Sequence, residues 1–577
     1  MVKKFVDKLT SVLLVSSMAL GLTASLSGCE KSNGRSSSKK EKEKETITLD
    51  VFNEYGSFNG IQEGWVADIL KEKFNVKLNI TPYIYGEFEE RINKKDLGDI
   101  LLFWESGSTY SDVLKKDLLY DWNRDDLLAK HGPYIKDHMG DALRKNQRMT
   151  ASITDGSSDK LYGFSCNIGT SSEDHQPFFY TWDVRWDLYR QLGYPKVNDL
   201  EDYEKLLKDM VKACPKDDSG NKAYAASLWS DWDESMVMHV KSLASAYYGY
   251  DELGMGLYDS ETGKWHGVLD QDGPYLEMLK FYHKLYQDGL LDPDSRKQGY
   301  EEAIKKIKNG GTMFSIFNHA GSLAYNESMH TKAGKMMQAM KPLQACPIVY
   351  GLNTGGNGSI LCIGAASKYP EKCMEVVNWM STPEGYLTMR YGPKGVCWKY
   401  NDQRKTELTE LGKKCKENPR TKLGKEYQGS FMDGASQVSL IWHDDASNPE
   451  TDGETYNYER WESGFSEPET EIEKDWQEKT GFRSVEDYME KGKHTVFPGT
   501  DYKMGVKSRK LKKLWKRVGK VLVEQSWDAI YAKSDAQYDQ IVSEMVTKCM
   551  KIGYKDCAKW SKKEAAKRKV LEDALAK

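Results

Sequence analysis

Hydrophobic positions change period twice in the first folded stretch of the chain. Ile47, Leu49 and Val51 alternate with polar residues as in a half-buried strand, then Trp65, Val66, Ile69, Leu70 and Phe74 recur at helical spacing, and Val76, Leu78 and Ile80 alternate again. The run Asp99-Ile100-Leu101-Leu102-Phe103-Trp104 is apolar after its first residue, which predicts a strand covered on both faces, as in a parallel sheet. Right-handed crossovers make this a βαβ pattern and an α/β layer, and such sheets bind ligands at the carboxyl ends of their strands. Those ends are Asn53-Glu54-Tyr55 and Trp104-Glu105-Ser106.

Farther along, Asp199 is placed to cap a helix with Leu200, Tyr203, Leu206, Leu207, Met210 and Val211 on one face. Pro370 starts another helix, and Thr382-Pro383 restarts one at once, with Thr382 as cap and Pro383 where its missing N–H costs nothing. Asp217-Asp218-Ser219-Gly220-Asn221 is a turn cluster that lacks the later acidic ligands of a calcium cage. Lys503 to Lys520 reads as a basic helix whose stripe Leu511, Leu514, Trp515, Val518, Val521 and Leu522 packs on the protein; its cations could also press on anionic lipid or a partner subunit. Glu467 to Glu478 reads as an acidic run rather than a metal site, and Met336, Met337 and Met340 as helical core.

With 577 residues the chain has room for two to four domains, and 39% hydrophobic against 29% charged residues exclude a multi-span membrane protein or a wholly disordered one. A net charge of −4 gives no general attraction to phosphate backbones, so nucleic acid is not an expected partner. The abundance of aromatic side chains, 16 Trp and 34 Tyr, points instead to stacking surfaces. Residues 1–28 have a Lys-rich start and a short apolar stretch, as in an export signal. They end at Leu26-Ser27-Gly28-Cys29, similar to a bacterial lipobox, in which Cys29 is acylated after cleavage. Residues 29–46 then form a charged, Ser-rich tether that can bury nothing. Nine further cysteines show no Cys-x-x-Cys pair and no zinc spacing, so neither metal nor cofactor is expected.

The lipobox, the Gly98-Asp99-Ile100 strand, Trp182-Asp183-Val184-Arg185-Trp186-Asp187-Leu188-Tyr189 before a Leu-Gly-Tyr-Pro turn, Ser381-Thr382-Pro383-Glu384-Gly385, and Tyr391 to Trp398 occur in an order that resembles extracellular solute-binding lipoproteins. These are the family 1 extracellular solute-binding proteins of carbohydrate-type ABC importers in Gram-positive bacteria. The resemblance implies an α/β, two-lobe periplasmic-binding-protein-like fold with hinge crossovers and, here, an extended helical C-terminal region. The expected lobes are 47–165 plus about 348–395, and 166–347 plus 396–577. A monomer that meets a carbohydrate and permease subunits, held at the outer membrane face, follows from the same likeness.

A sugar cleft needs flat apolar faces for the C–H side of a ring and fixed polar groups for its hydroxyls. Glu54, Trp104, Glu105, Trp229, Asp231, Trp232, Phe317, Asn318 and Trp398 supply that mixture near strand ends or in the Tyr391 motif. The rival readings are a surface glycoside hydrolase, for which two placed carboxylates suffice, and a glycan-binding adhesin. No Gly-x-Ser-x-Gly, His-Glu-x-x-His, phosphate-loop or dinucleotide motif is present.

Overall fold

The alternating segments form strands Ile47–Asn53 and Val76–Pro82, linked by helix Gly64–Phe74, in a computed structural model that describes residues 45–575 apart from Tyr85, Ser106, Asp155, Ser157, Ser158 and Ser466. The export signal, Cys29 and nearly all of the tether lie outside the described residues. The two strands pair in parallel, Leu49 opposite Leu78, and Ile100–Trp104 joins the other side in parallel with Val51 opposite Ile100. Ser359–Ile363 then runs antiparallel beside Ile100–Trp104, so a segment remote in sequence completes the sheet. Gly163–Ser165 and Gly60–Ile61 form its edges. Parallel pairing requires a crossover helix, and Trp65, Val66, Ile69 and Leu70 anchor that helix in one core with Leu49, Val51 and Leu78.

A second core surrounds an antiparallel sheet of Phe314–Phe317, Tyr180–Arg185 and Met337–Ala339. Asp199 does cap helix Leu200–Ala213, accepting from the N–H groups of Glu201 and Asp202 at 3.1 and 3.0 Å, a bond worth about 1 kcal/mol. Thr382 caps helix Pro383–Tyr391 through the Gly385 N–H, as its sequence predicts. Three helices, Arg509–Ile530, Asp535–Ile552 and Tyr554–Leu575, close the second lobe.

The lobes meet where three chain segments lie side by side. Ile348–Tyr350 pairs in parallel with Thr495–Phe497, and Gln176 donates from its N–H to the Tyr350 carbonyl at 2.8 Å. Phe178, Val349 and Met489 form a small apolar cluster there. Backbones approach so closely that a Cβ on Gly499 would lie 2.2 Å from the Leu352 carbonyl carbon.

Some expectations need correction. Trp398, Leu408, Cys415, Leu423, Trp442 and Trp461 pack into the first core, so residues 396–461 belong with the first lobe and the second lobe resumes near Ile472. The third crossing between the lobes therefore lies between Trp461 and Ile472 rather than near residue 395. Met337 is buried in a strand rather than a helix, and the basic helix begins at Arg509 rather than Lys503.

Candidate ligand-binding cleft

Tyr180 and Phe317 pair at one end of the second sheet, and the loops leaving that end carry a shelf of aromatic rings. Trp232 stacks on Tyr300 with ring centroids 4.7 Å apart and lies 5.9 Å from His319, which itself stacks on Phe179 at 5.3 Å. Trp229 stands edge-on beneath Trp232 at 5.3 Å and Phe317 lies 5.9 Å from Trp229; both are buried and support the shelf rather than forming its face. His239 completes the support, its Nε2 accepting from the Trp229 N–H at 3.3 Å. Burial pushes the His239 imidazole down to about 3, helped by neighbouring His319, and burial pushes His319 down to about 4. Both rings are therefore neutral at physiological pH, and the shelf is an uncharged apolar surface.

Asp231 holds this shelf in place. Its Oδ2 accepts from the Tyr300 N–H at 2.9 Å, capping helix Tyr300–Lys308 from outside and fixing Tyr300 against Trp232. Asn318 is half-buried and donates to the Phe178 carbonyl at 3.5 Å, which ties the shelf to the hinge cluster.

In the first lobe, Glu54 and Trp104 end adjacent parallel strands. The Glu54 carboxylate accepts from the Trp104 N–H at 2.6 Å and from the Thr109 hydroxyl, so it positions Trp104. Trp104 is 48% exposed, the one exposed tryptophan among the described residues, and its ring lies 5.0 Å from that of Tyr55. The Tyr55 hydroxyl joins those of Ser359 and Ser439, which are 2.8 Å apart, in a cluster of groups able to donate and accept.

Glu105 is spent elsewhere. Its carboxylate accepts from Lys145 Nζ at 2.9 Å and from Lys503 Nζ at 3.3 Å, and Lys145 also meets Asp501 at 2.9 Å. Asp501 and Lys503 follow the hinge strand Thr495–Phe497, while Tyr502 and Gly505 bond to Glu564 in the second lobe. The segment is a strap clasped to both lobes, and Glu105 is one of its fastenings. Both aromatic surfaces thus adjoin the hinge, one on each lobe.

Trp398 is corrected outright. It is fully buried in the first core, 5.3 Å from the Tyr400 ring, and presents no stacking face. The sequence does not single out Phe179 and Tyr300, because Phe179 precedes strand Tyr180–Arg185 rather than following a strand and Tyr300 opens a helix. A calcium site does not fit the Asp217 turn: Asp217 accepts from the N–H groups of Ser219 and Asn221 and from Asn309 Nδ2, and Asp218 is paired with Lys335 and His330. Among the described residues no His, Cys, Asp and Glu cluster could hold a metal, and no helix is long and apolar enough to cross a membrane.

A family model for bacterial extracellular solute-binding proteins matches residues 65–393, more than half of the chain. The sequence matches none of the curated proteins. Among solved structures, an extracellular solute-binding protein from Bifidobacterium longum subsp. infantis is similar at 13% identity and TM-score 0.51, covering 91% of this chain and 99% of its own. A solute-binding protein of Bifidobacterium longum infantis described as HMO-binding and ABC-transporter-associated has 13% identity and TM-score 0.49 over 90% of this chain and 98% of its own. The N-glycan transport protein NgtS of Streptococcus pneumoniae has 14% identity and TM-score 0.43 over 92% and 100%. At such identities the likeness of the first of these concerns the fold.

Proposed function

Because the chain belongs to the bacterial extracellular solute-binding proteins, we propose that it captures an oligosaccharide between its lobes and delivers it to the permease of an ABC importer. The family binds solutes and leaves them unchanged, so the glycosidase reading gives way to transport.

The observation that carries the sugar assignment is the neutral shelf of Trp232, Tyr300 and His319 on one lobe with exposed Trp104 on the other. Two apolar faces suit the C–H sides of successive rings, and the hydroxyl cluster of Tyr55, Ser359 and Ser439 suits their polar edges. A small amino acid or a metal would have little use for two such separated surfaces. Closure about the hinge brings a divided site together, which is why the rings stand on different lobes.

Acylation of Cys29 would keep the receptor at the outer face of the membrane, with residues 30–45 as a leash. Fatty-acid labelling tests this: label on the wild type that is absent from Cys29→Ser supports the anchor, and an unlabelled wild type removes it.

The test of function is a panel of oligosaccharides against the purified protein. A bound sugar at about 100 times its dissociation constant stabilises the native state by about 2.7 kcal/mol, a clear rise in melting temperature. Stabilisation with no new reducing ends supports the proposal. New reducing ends would mean hydrolysis, and stabilisation by peptides alone would mean a different solute.

A further inference from the structure

We propose that the cationic face of helix Arg509–Ile530, with the exposed segment before it, docks on the anionic headgroups of a lipid membrane and sets how the receptor lies there. Residues 503–520 hold nine Lys and Arg and no acid; with the chain at −4, the remainder carries −4 − 9 = −13. Positive charge is therefore concentrated on one face of an otherwise acidic protein.

The helix is divided along its length. At 100° per residue Arg509, Lys510, Lys512, Lys513, Lys516 and Arg517 fall within an arc of about 160°. Leu511, Leu514, Trp515, Val518 and Leu522 occupy the opposite side and pack into the second core. The apolar stripe is thus satisfied internally and the cations are all outward and exposed. None of these six makes an ion pair among the described residues; pairing resumes at the flanks, Lys503 with Glu105 and Lys520 with Glu524. On the two following helices, by contrast, Lys548, Lys567 and Lys569 each have a carboxylate.

A lipid surface fits this face better than a protein pocket. It is one convex helix with no groove, and its cations are spread over about 17 Å rather than gathered round a point. Beside it Val506 is 89% exposed and Met504 is 45% exposed, apolar side chains able to enter the headgroup layer. The acidic remainder is repelled by the same surface, so the charge asymmetry favours one orientation. The attraction needs no acyl chain, which separates it from the proposed anchor.

The test uses residues 46–577, a single compact unit that lacks Cys29. It is sedimented with vesicles of phosphatidylglycerol mixed with phosphatidylcholine, or of phosphatidylcholine alone, at low and high salt. Binding should require phosphatidylglycerol and weaken as salt shortens the screening length. The variant Lys510→Glu/Lys513→Glu/Arg517→Glu should bind at least about tenfold more weakly, whereas Lys95→Glu/Lys115→Glu/Lys116→Glu, with the same change in net charge, should bind nearly as the parent does. Melting temperatures check that both variants fold. Equal losses in the two variants, no preference for the anionic vesicles, or binding to soluble polyphosphate but not to vesicles would each overturn the proposal.

Discussion

The two lobes hold aromatic rings beside the hinge in opposite ways. In the second lobe Trp232 and Tyr300 rest on buried Trp229, Phe317 and His239, so the surface is assembled before any ligand arrives. In the first lobe Trp104 projects from a strand end, half exposed, fixed by a bond from its backbone to Glu54 and by one ring contact with Tyr55. A shelf built on a core costs little ordering when a ligand binds, whereas a projecting ring gains its burial on closure. Stability and affinity should therefore separate cleanly between supporting and contacting aromatics.

The largest effect is expected beneath the shelf. Trp229→Ala should cost about 3–5 kcal/mol of folding stability, read as a large drop in melting temperature, because the fully buried ring supports Trp232, Tyr300 and Phe317. If the melt were preserved, Trp229 would not be the support described.

Next come the faces themselves. Trp232→Ala and Trp104→Ala should each weaken sugar binding by about 1–3 kcal/mol, one to two decades in affinity, with Trp104→Ala leaving the melt nearly unchanged. Calorimetric titration beside thermal melts measures both quantities, and unaltered affinity in Trp104→Ala would take the first lobe out of the site. Asp231→Ala should have a smaller effect: loss of the cap on the Tyr300 helix costs about 0.5–2 kcal/mol of stability, with some affinity lost as Tyr300 loosens. Asp231→Asn, which keeps a carbonyl acceptor, should recover much of both.

The last expected effect is a slope in pH. Burial pushes the Glu486 carboxyl from 4.5 up to about 7, with nearby Arg460 opposing, and the group accepts from the Phe178 N–H in the hinge. Such an acid binds its proton more tightly folded than unfolded, so stability declines as pH rises from about 4.5 through about 7. His175 tilts the same way. Burial works to lower it, but its bonds to Glu490 and to a backbone carbonyl raise it overall, so its contribution is full below about 6.5 and is lost as pH rises through its folded value. Glu490 acts in the opposite sense, its stabilisation being lost in acid. Glu486→Gln should flatten the dependence of melting temperature on pH between about 5 and 8, and an unchanged slope would clear Glu486 of the effect.

The first sheet could be read in the sequence because each part declares itself locally. Ile47, Leu49 and Val51 alternate, and Ile100 to Phe103 is apolar throughout because both faces are covered. The caps Asp199 and Thr382 were legible for the same reason, since a cap bonds to residues two or three positions on. Allegiance between lobes was not legible. Residues 396–461 have ordinary apolar spacing, and periodicity shows that a face is buried without showing in which core. Of the proposed site, strand ends pointed to Trp104 and the loop after Trp229 to Trp232, but a buried tryptophan such as Trp398 looks the same in sequence as an exposed one. Glu105 and Asp231 were expected to face the ligand, yet Lys145, Lys503 and the Tyr300 N–H claim them, partners 40, 398 and 69 residues away.

The central claim is that a ligand joins two surfaces carried on different lobes. Small-angle scattering of the protein with and without the sugar found in the panel measures this most directly, because closure about the hinge draws the lobes together. A smaller radius of gyration at saturation, reached in Trp104→Ala only at about ten to a hundred times more sugar, is the expected result. An unchanged radius at saturating ligand would contradict the account and leave a preformed groove on one lobe.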